Sequence, residues 1–248
     1  MPDLSLIAFA SAVLLLAGTV KGFIGLGMPT VALALLTLKL DARSAVTLVV
    51  IPMLLSNVWQ FWRGPDMLGC IKQHWRYAVI LILFVAATVW FSQSAPDQFL
   101  RAVLGVFVLA FCFLSWRDMV PAIPAHKVRL FEGISALIAG LVGGLTAAWA
   151  PPLAMYLTGL RLDRDAFVQA LGFLITAGSI SIFFMFIAVG HSSGQELAIS
   201  TFLLIPALIG FSVGERLRHR TDPEKFKKYF LGAFSVLGAN LLLGTFLG

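Results

Sequence analysis

Residues 18–46 of this chain return, without a gap, at 140–168, a constant offset of 122. Gly18/Gly140, Gly22/Gly144, Pro29/Pro151, Ala32/Ala154, Leu38/Leu160, Leu40/Leu162, Asp41/Asp163 and Val46/Val168 are identical pairs. A further match at an offset of 127 sets Pro96, Phe99 and Gly105 on Pro223, Phe226 and Gly232. Each copy carries a glycine-and-proline break inside an apolar stretch. A break exposed to hydrocarbon would leave peptide groups unpaired, so a pair of breaks demands buried or water-lined surroundings.

The stretches around the breaks do suit hydrocarbon. Hydrophobic residues make up 59% of the chain and charged ones 12%, with a mean hydropathy of +0.93, against about half and about a quarter in soluble domains. Apolar runs extend over Ala45–Trp62, Tyr77–Pro96, Ala102–Trp116, Gly133–Leu160, Ala166–Gln195, Leu197–Gly214 and Tyr229–Gly248. Roughly 20 residues at 1.5 Å each cross a bilayer core, so these read as membrane helices. A transmembrane barrel would alternate polar and apolar residues over short strands instead. The net charge of +6 sits in short loops, where it sets membrane orientation and does not suggest a nucleic-acid groove. Cys70 and Cys112 have no metal-ligand spacing and read as packing residues. The opening Met-Pro-Asp-Leu-Ser lacks the basic start of a cleaved signal, so the first apolar stretch is expected in the mature fold.

Leu4–Leu38 as one helix would measure roughly 50 Å, beyond a ~30 Å core, and must break. Lys21-Gly22-Phe23-Ile24-Gly25-Leu26-Gly27-Met28-Pro29 is the place, and Gly143-Gly144 with Ala150-Pro151-Pro152 is its counterpart. If each broken hairpin returns to its starting side, fourteen of the eighteen basic residues share one face. Lys39, Arg43 and Arg101 take the other, and Lys21 sits in a hairpin tip. Single crossings would divide the same residues 11 to 6. The positive-inside rule prefers the asymmetric split, which inverts the halves relative to each other and puts both termini outside. Paired broken segments in inverted halves are the pattern of a secondary transporter with a mid-membrane site.

A helix starting inside the membrane presents free N–H groups and a partial positive charge, which favours an anion. Pro29-Thr30 and Pro151-Pro152 are such starts, although the same glycines can simply let helices pack closely. Lys21 is the basic residue deep in an apolar stretch, and its counterpart is Gly143. Intramembrane charge is costly and usually functional, but a hairpin-tip lysine can also snorkel to an interface. Gln169, Gly172, Thr176 and Ser179 share a helix face, and Thr47 and Asn57 occupy the places of Gln169 and Ser179. These residues can orient an oxyanion or bond helices together. Gly210-Phe211-Ser212-Val213-Gly214 matches a nucleophile elbow, which needs a strand entering a helix. His74, His126, His191 and His219 read as separate loop residues without metal spacing, and no phosphate loop is present in the sequence. Neither a metal nor a cofactor is expected.

Gly22-Phe23-Ile24-Gly25-Leu26-Gly27, its echo Gly140-Leu141-Val142-Gly143-Gly144-Leu145-Thr146, and Ala150-Pro151-Pro152 leading to Tyr156-Leu157 resemble the TauE/SafE family, also called TSUP permeases. The resemblance covers essentially the whole chain. It implies transport of small sulfur-containing anions (sulfite, sulfoacetate, sulfonates) across the bacterial cytoplasmic membrane. Here Trp149 stands before Pro151-Pro152, as a filler or an aromatic wall beside the site.

The expectation is an all-α polytopic membrane protein of two homologous, inverted-repeat halves. Each is a broken helical hairpin, re-entrant or fully spanning, plus three transmembrane helices. The first repeat covers 1–118, with its hairpin at 4–38 and helices near 44–62, 76–93 and 97–116. A cytoplasmic linker follows at 119–129. The second repeat covers 130–248, with its hairpin at 131–160 and helices near 165–190, 196–214 and 223–246. The candidate anion site is Lys21, Gly25, Gly27, Pro29, Thr30, Thr47, Asn57, Gly144, Thr146, Trp149, Pro151, Pro152, Gln169 and Ser179. The expected partners are a small anion and the bilayer, not nucleic acid, with a homodimer left open. Expected placement is multi-pass in a bacterial inner membrane with periplasmic termini. The competing readings are an intramembrane enzyme built on Ser212 and a structural subunit without flux.

Overall fold

The computed structural model describes residues 4–24, 27–117, 121–147 and 149–218, and beyond them 232, 235, 236, 238, 239, 242 and 243. Most of the helix expected at 223–246 lies outside these residues, as does Gly25. Among the described residues the chain forms α1 (Leu4–Ile24), α2 (Met28–Leu36), α3 (Ala42–Trp62), α4 (Met67–Phe91), α5 (Asp97–Arg117), a 3-10 turn (Ala125–Lys127), α6 (Val128–Thr146), α7 (Ala150–Gly159), α8 (Arg164–Ala188) and α9 (Gly194–Arg218). Six stretches are long and apolar enough to cross a membrane: Leu4–Phe23, Ala42–Trp62, Met67–Phe91, Ala125–Thr146, Asp165–Ala188 and Gly194–Leu217. The protein is a polytopic all-α membrane protein. By contrast, α2 with 9 residues and α7 with 10 reach only about 14–15 Å, half a hydrocarbon core.

The repeated aspartates explain two helix starts. Asp41 accepts hydrogen bonds from the N–H groups of Arg43 and Ser44, and Asp163 accepts them from Asp165 and Ala166. Each satisfies free donors at the head of the crossing that follows its hairpin, α3 and α8. Partial burial works against the Asp41 charge, but hydrogen bonds from Ser44 and Arg43 outweigh it and hold the carboxyl below its ordinary value. Asp66 caps α4 by accepting from Gly69 N–H at 2.9 Å. That cap starts α4 at Met67, ahead of the position near 76 expected from hydropathy, and puts Lys72, His74 and Arg76 on the helix. His74 is therefore buried in α4 and not a loop residue; His219 lies outside the described residues.

The chain forms two compact units, which do not follow the two halves of the sequence. Unit 1 comprises 1–52, 95–117 and 190–248; unit 2 comprises 53–94 and 118–189. In unit 1, α1 packs along α9 through glycines on both helices. A Cβ on Gly18 or Gly22 would lie 2.2 Å from Ala207 O or 2.1 Å from Phe211 O, and one on Gly210 or Gly214 would lie 2.0 Å from Leu15 O or Thr19 O. The contacts advance together along both helices, so α1 and α9 run parallel, with backbone against backbone. Arg101 of α5 donates to the carbonyls of Thr37 and Leu40 and pairs with Asp97. Its cation thus sits at the carbonyl end of α2. Asp97 in turn accepts from Ala42 N–H at 2.7 Å.

In unit 2 the equivalent glycines of α6 meet α4. A Cβ on Gly140 would lie 2.4 Å from Phe84 Cβ, and one on Gly144 2.5 Å from Thr88 Cβ. These contacts also advance together, so α6 and α4 are parallel. The C-terminal part of α3 pairs with α8 the other way. Asn57 and Phe61 lie by Gly172, Gln60 donates to Val168 O, and Gln169 donates to Phe61 O, an antiparallel register.

The division between units falls at Pro52–Met53, inside α3. Proline has no N–H, so Pro52 leaves the Leu48 carbonyl without its helical donor. Within unit 1 the fully buried Ser200 hydroxyl fills that place, donating to Leu48 O at 2.9 Å.

Candidate functional site

In unit 1 the first break is a tight corner. Gly27, at φ 96°, precedes α2, and Pro29 sits in the first turn, where a missing N–H does no harm. Met28, Pro29 and Thr30 are all buried. Lys21, in the last turn of α1, is 2% exposed. The Thr30 hydroxyl is buried without a hydrogen-bond partner. Thr47 differs, since its hydroxyl lies 3.0 Å from Ser192 Oγ and 3.1 Å from Arg43 O.

In unit 2 the second break reaches the same shape by other residues. Ala147 turns the chain at φ 52° and returns its N–H to Gly143 O at 2.7 Å. Trp149 then leads into α7, with proline in the first turn; nothing is described of the Pro151 side chain. The Trp149 ring occupies the space beside Gly143, where a Cβ would lie 2.2 Å from Cε3, and it also borders Gly178. It is 1% exposed, and its Nε1–H has no partner. The offset of 122 pairs Gly143 with Lys21 and Trp149 with Gly27. One break therefore has a lysine and a bare corner, while the other has a glycine whose space an indole fills.

The polar stripe divides by use. Gln169 is committed to the fold, accepting from Asp66 N–H at 3.2 Å and donating to Phe61 O. Ser179 donates to Ile175 O and Thr146 to Val142 O, each four residues back on its own helix. Asn57 donates to Met53 O at 2.7 Å but keeps Oδ1 buried and unpartnered. Gly144 serves the α4 contact, and the half-buried Pro152 offers its carbonyl to Ser135 Oγ at 2.8 Å.

Ser212 is on α9, the helix that packs along α1. It lies inside α9 between Gly210 and Gly214, exposed, with its hydroxyl returned to Leu208 O. No strand enters there, so the sequence resemblance to a nucleophile elbow fails. The hydropathy reading passed over Glu132, which is buried in α6. The signal was present: Glu132 is the only acidic or basic residue between 131 and 160. Among the described residues, no group of three or more His, Cys, Asp or Glu is placed to hold a metal ion.

Membrane-crossing helices with two buried corners, each with polar groups left open, are the pattern seen in membrane transporters. The chain belongs to the family described as Sulfite exporter TauE/SafE, matching it over residues 10–241. At the level of that family it is a transporter moving a small anion across the membrane. No curated protein and no solved structure matches the chain.

Proposed function

We propose that this protein is a secondary transporter that moves a sulfur oxyanion or organosulfonate by alternating access, with polar groups at each of the two breaks able to bind the anion. One observation carries the site: the buried polar atoms left without partners include Thr30 Oγ1, Asn57 Oδ1 and Trp149 Nε1. Two of these residues border the breaks themselves. An unpartnered donor in a membrane protein is costly, and a site that must release its ligand each cycle accounts for that cost.

In this reading Lys21 supplies the charge and the half-helix starts at Pro29 and Pro152 supply the field. The Thr30 hydroxyl and the Trp149 indole donate to sulfur-bound oxygens, and Asn57 accepts from a protonated oxygen. Gln169, Ser179, Thr47, Thr146, Gly27 and Gly144 shape the surroundings of the two breaks. The antiparallel run of α3 against α8 supports inverted repeats, since the two helices are equivalent in the copies. The shortness of α2 and α7 supports re-entrant hairpins. The basic-residue asymmetry favours periplasmic termini in a bacterial inner membrane.

The test is uptake of radiolabelled sulfite and sulfoacetate into liposomes containing the purified protein. Lys21→Ala should reduce flux to background while thermal unfolding stays cooperative. Undiminished flux in that variant would remove the lysine from the site, and no flux of any sulfur anion by the native chain would sink the substrate class.

A further inference from the structure

Unit 2 buries a second polar cluster that the anion site leaves unused. On α6, Glu132 is 7% exposed with Oε1 unpartnered; on α4, His74 is 1% exposed with Nδ1 unpartnered. Both act on or lie against Tyr156. The Tyr156 ring of α7 lies 5.1 Å from that of Tyr77 and 6.4 Å, edge-on, from His74, and Glu132 is within electrostatic range of both tyrosines. Tyr77 Oη lies 3.0 Å from Ser135 Oγ, which donates to Pro152 O in the first turn of α7. A cavity of about 480 Å³, otherwise mostly apolar, reaches Ser135, Pro152 and Tyr156 and has Lys127 in its wall.

Among the described residues, charged groups act on Glu132 from two helices. Arg76 of α4 and Arg129 of its own helix act on it from a distance. The 3-10 turn contributes His126 and Lys127, and the acidic and basic residues of α8 lie in its first turn, Arg164 and Asp165. A buried carboxyl with one bare oxygen and a buried imidazole with one bare nitrogen are groups a proton site can use, and the cavity wall reaches the Ser135 and Tyr156 beside them.

Resting on the transporter reading above, we propose that Glu132, in a cluster that also buries His74, is the proton-binding site that couples anion movement to a proton gradient. On binding, a hydronium O–H bond breaks as an O–H bond forms on the Glu132 carboxylate; on release that O–H bond breaks as the proton returns to water. The Glu132 charge acts on Tyr77, whose hydroxyl is linked through Ser135 to the Pro152 carbonyl at the start of α7.

Infrared difference spectra of the purified protein across a pH series should show a carboxylic C=O band that Glu132→Gln removes and Glu132→Asp shifts, while His74→Gln moves its midpoint. This readout requires no substrate, and absence of a band belonging to Glu132 overturns the proposal. In liposomes, Glu132→Gln should lose at least about tenfold of sulfite uptake driven by a pH gradient and keep sulfite–sulfite exchange within about twofold. Glu132→Asp should recover part of the gradient-driven component. Retention of gradient-driven uptake by Glu132→Gln, or equal loss of both modes, also overturns it. If the native chain moves no sulfite, the substrate reading fails and the infrared titration alone decides on Glu132.

Discussion

Replacing Gly214 by alanine should push two parallel helices apart. The new Cβ would lie 2.0 Å from Thr19 O and 2.8 Å from Phe23 N, both backbone atoms that cannot swing aside. Ordinary contact begins at 3.4 Å, so α9 must withdraw from α1 by roughly 1.4 Å at this point, a misfit of the kind that costs 1–3 kcal/mol in packed interiors. Gaps of 0.5–1 Å forfeit a quarter to a half of each dispersion contact along the seam, which puts the total loss at about 2–3 kcal/mol. Denaturant titration in detergent micelles measures it, with Gly133→Ala as the control. Gly133 lies in α6 with nothing within 4 Å of its Cβ position, so alanine there should be neutral or stabilise by up to about 1 kcal/mol. Gly22→Ala should match Gly214→Ala, and the double variant should cost less than their sum because one separation relieves both clashes. Native-like stability of Gly214→Ala would refute the backbone-to-backbone approach.

Trp149→Phe keeps an aromatic ring but removes the unpartnered N–H. Losing one hydrogen bond to a charged ligand is worth about 1.5–3 kcal/mol, so KM for sulfite should rise about ten- to hundredfold, read from uptake kinetics. Ser200→Ala strips the Leu48 carbonyl of its substitute donor and should lower unfolding free energy by about 0.6–1.7 kcal/mol in the same detergent titration. Asp41→Ala removes a helix cap and should cost about 1 kcal/mol at neutral pH. The Asp41 carboxyl is held below its ordinary value in the fold, so its contribution is present above about pH 3.9 and fades as pH falls through the native value. Melting curves of the native and Asp41→Ala proteins should therefore converge in acid.

The breaks were legible because length forbids a single helix over 4–38, and glycine and proline mark where it must turn. Asp41 and Asp163 were visible as repeated residues, and their repetition reflects a shared cap. The choice of packing partner was hidden. Small residues at Gly18, Gly22, Gly140 and Gly144 announce a close approach, but not that α1 meets α9 while α6 meets α4. The start of α4 was obscured because Lys72 and Arg76 look like loop charges, although the same turns bury His74. Glu132 was overlooked because hydropathy averages one carboxylate away among apolar neighbours, while its environment depends on Tyr77 and Tyr156 from other helices. The Lys21/Gly143 and Gly27/Trp149 exchange was present in the alignment, but its meaning, an indole filling a vacated side-chain position, needed coordinates.

The glycine seam carries a consequence for biosynthesis. α1 docks on a helix made some 190 residues later, so it must wait in the lipid with its small-residue face uncovered. A fragment ending near residue 118 would hold α1 without α9 and α4 without α6, two orphaned faces in one piece. Gene halves expressed separately are thus expected to be degraded alone and to assemble when made together, each half lending the other its missing helix.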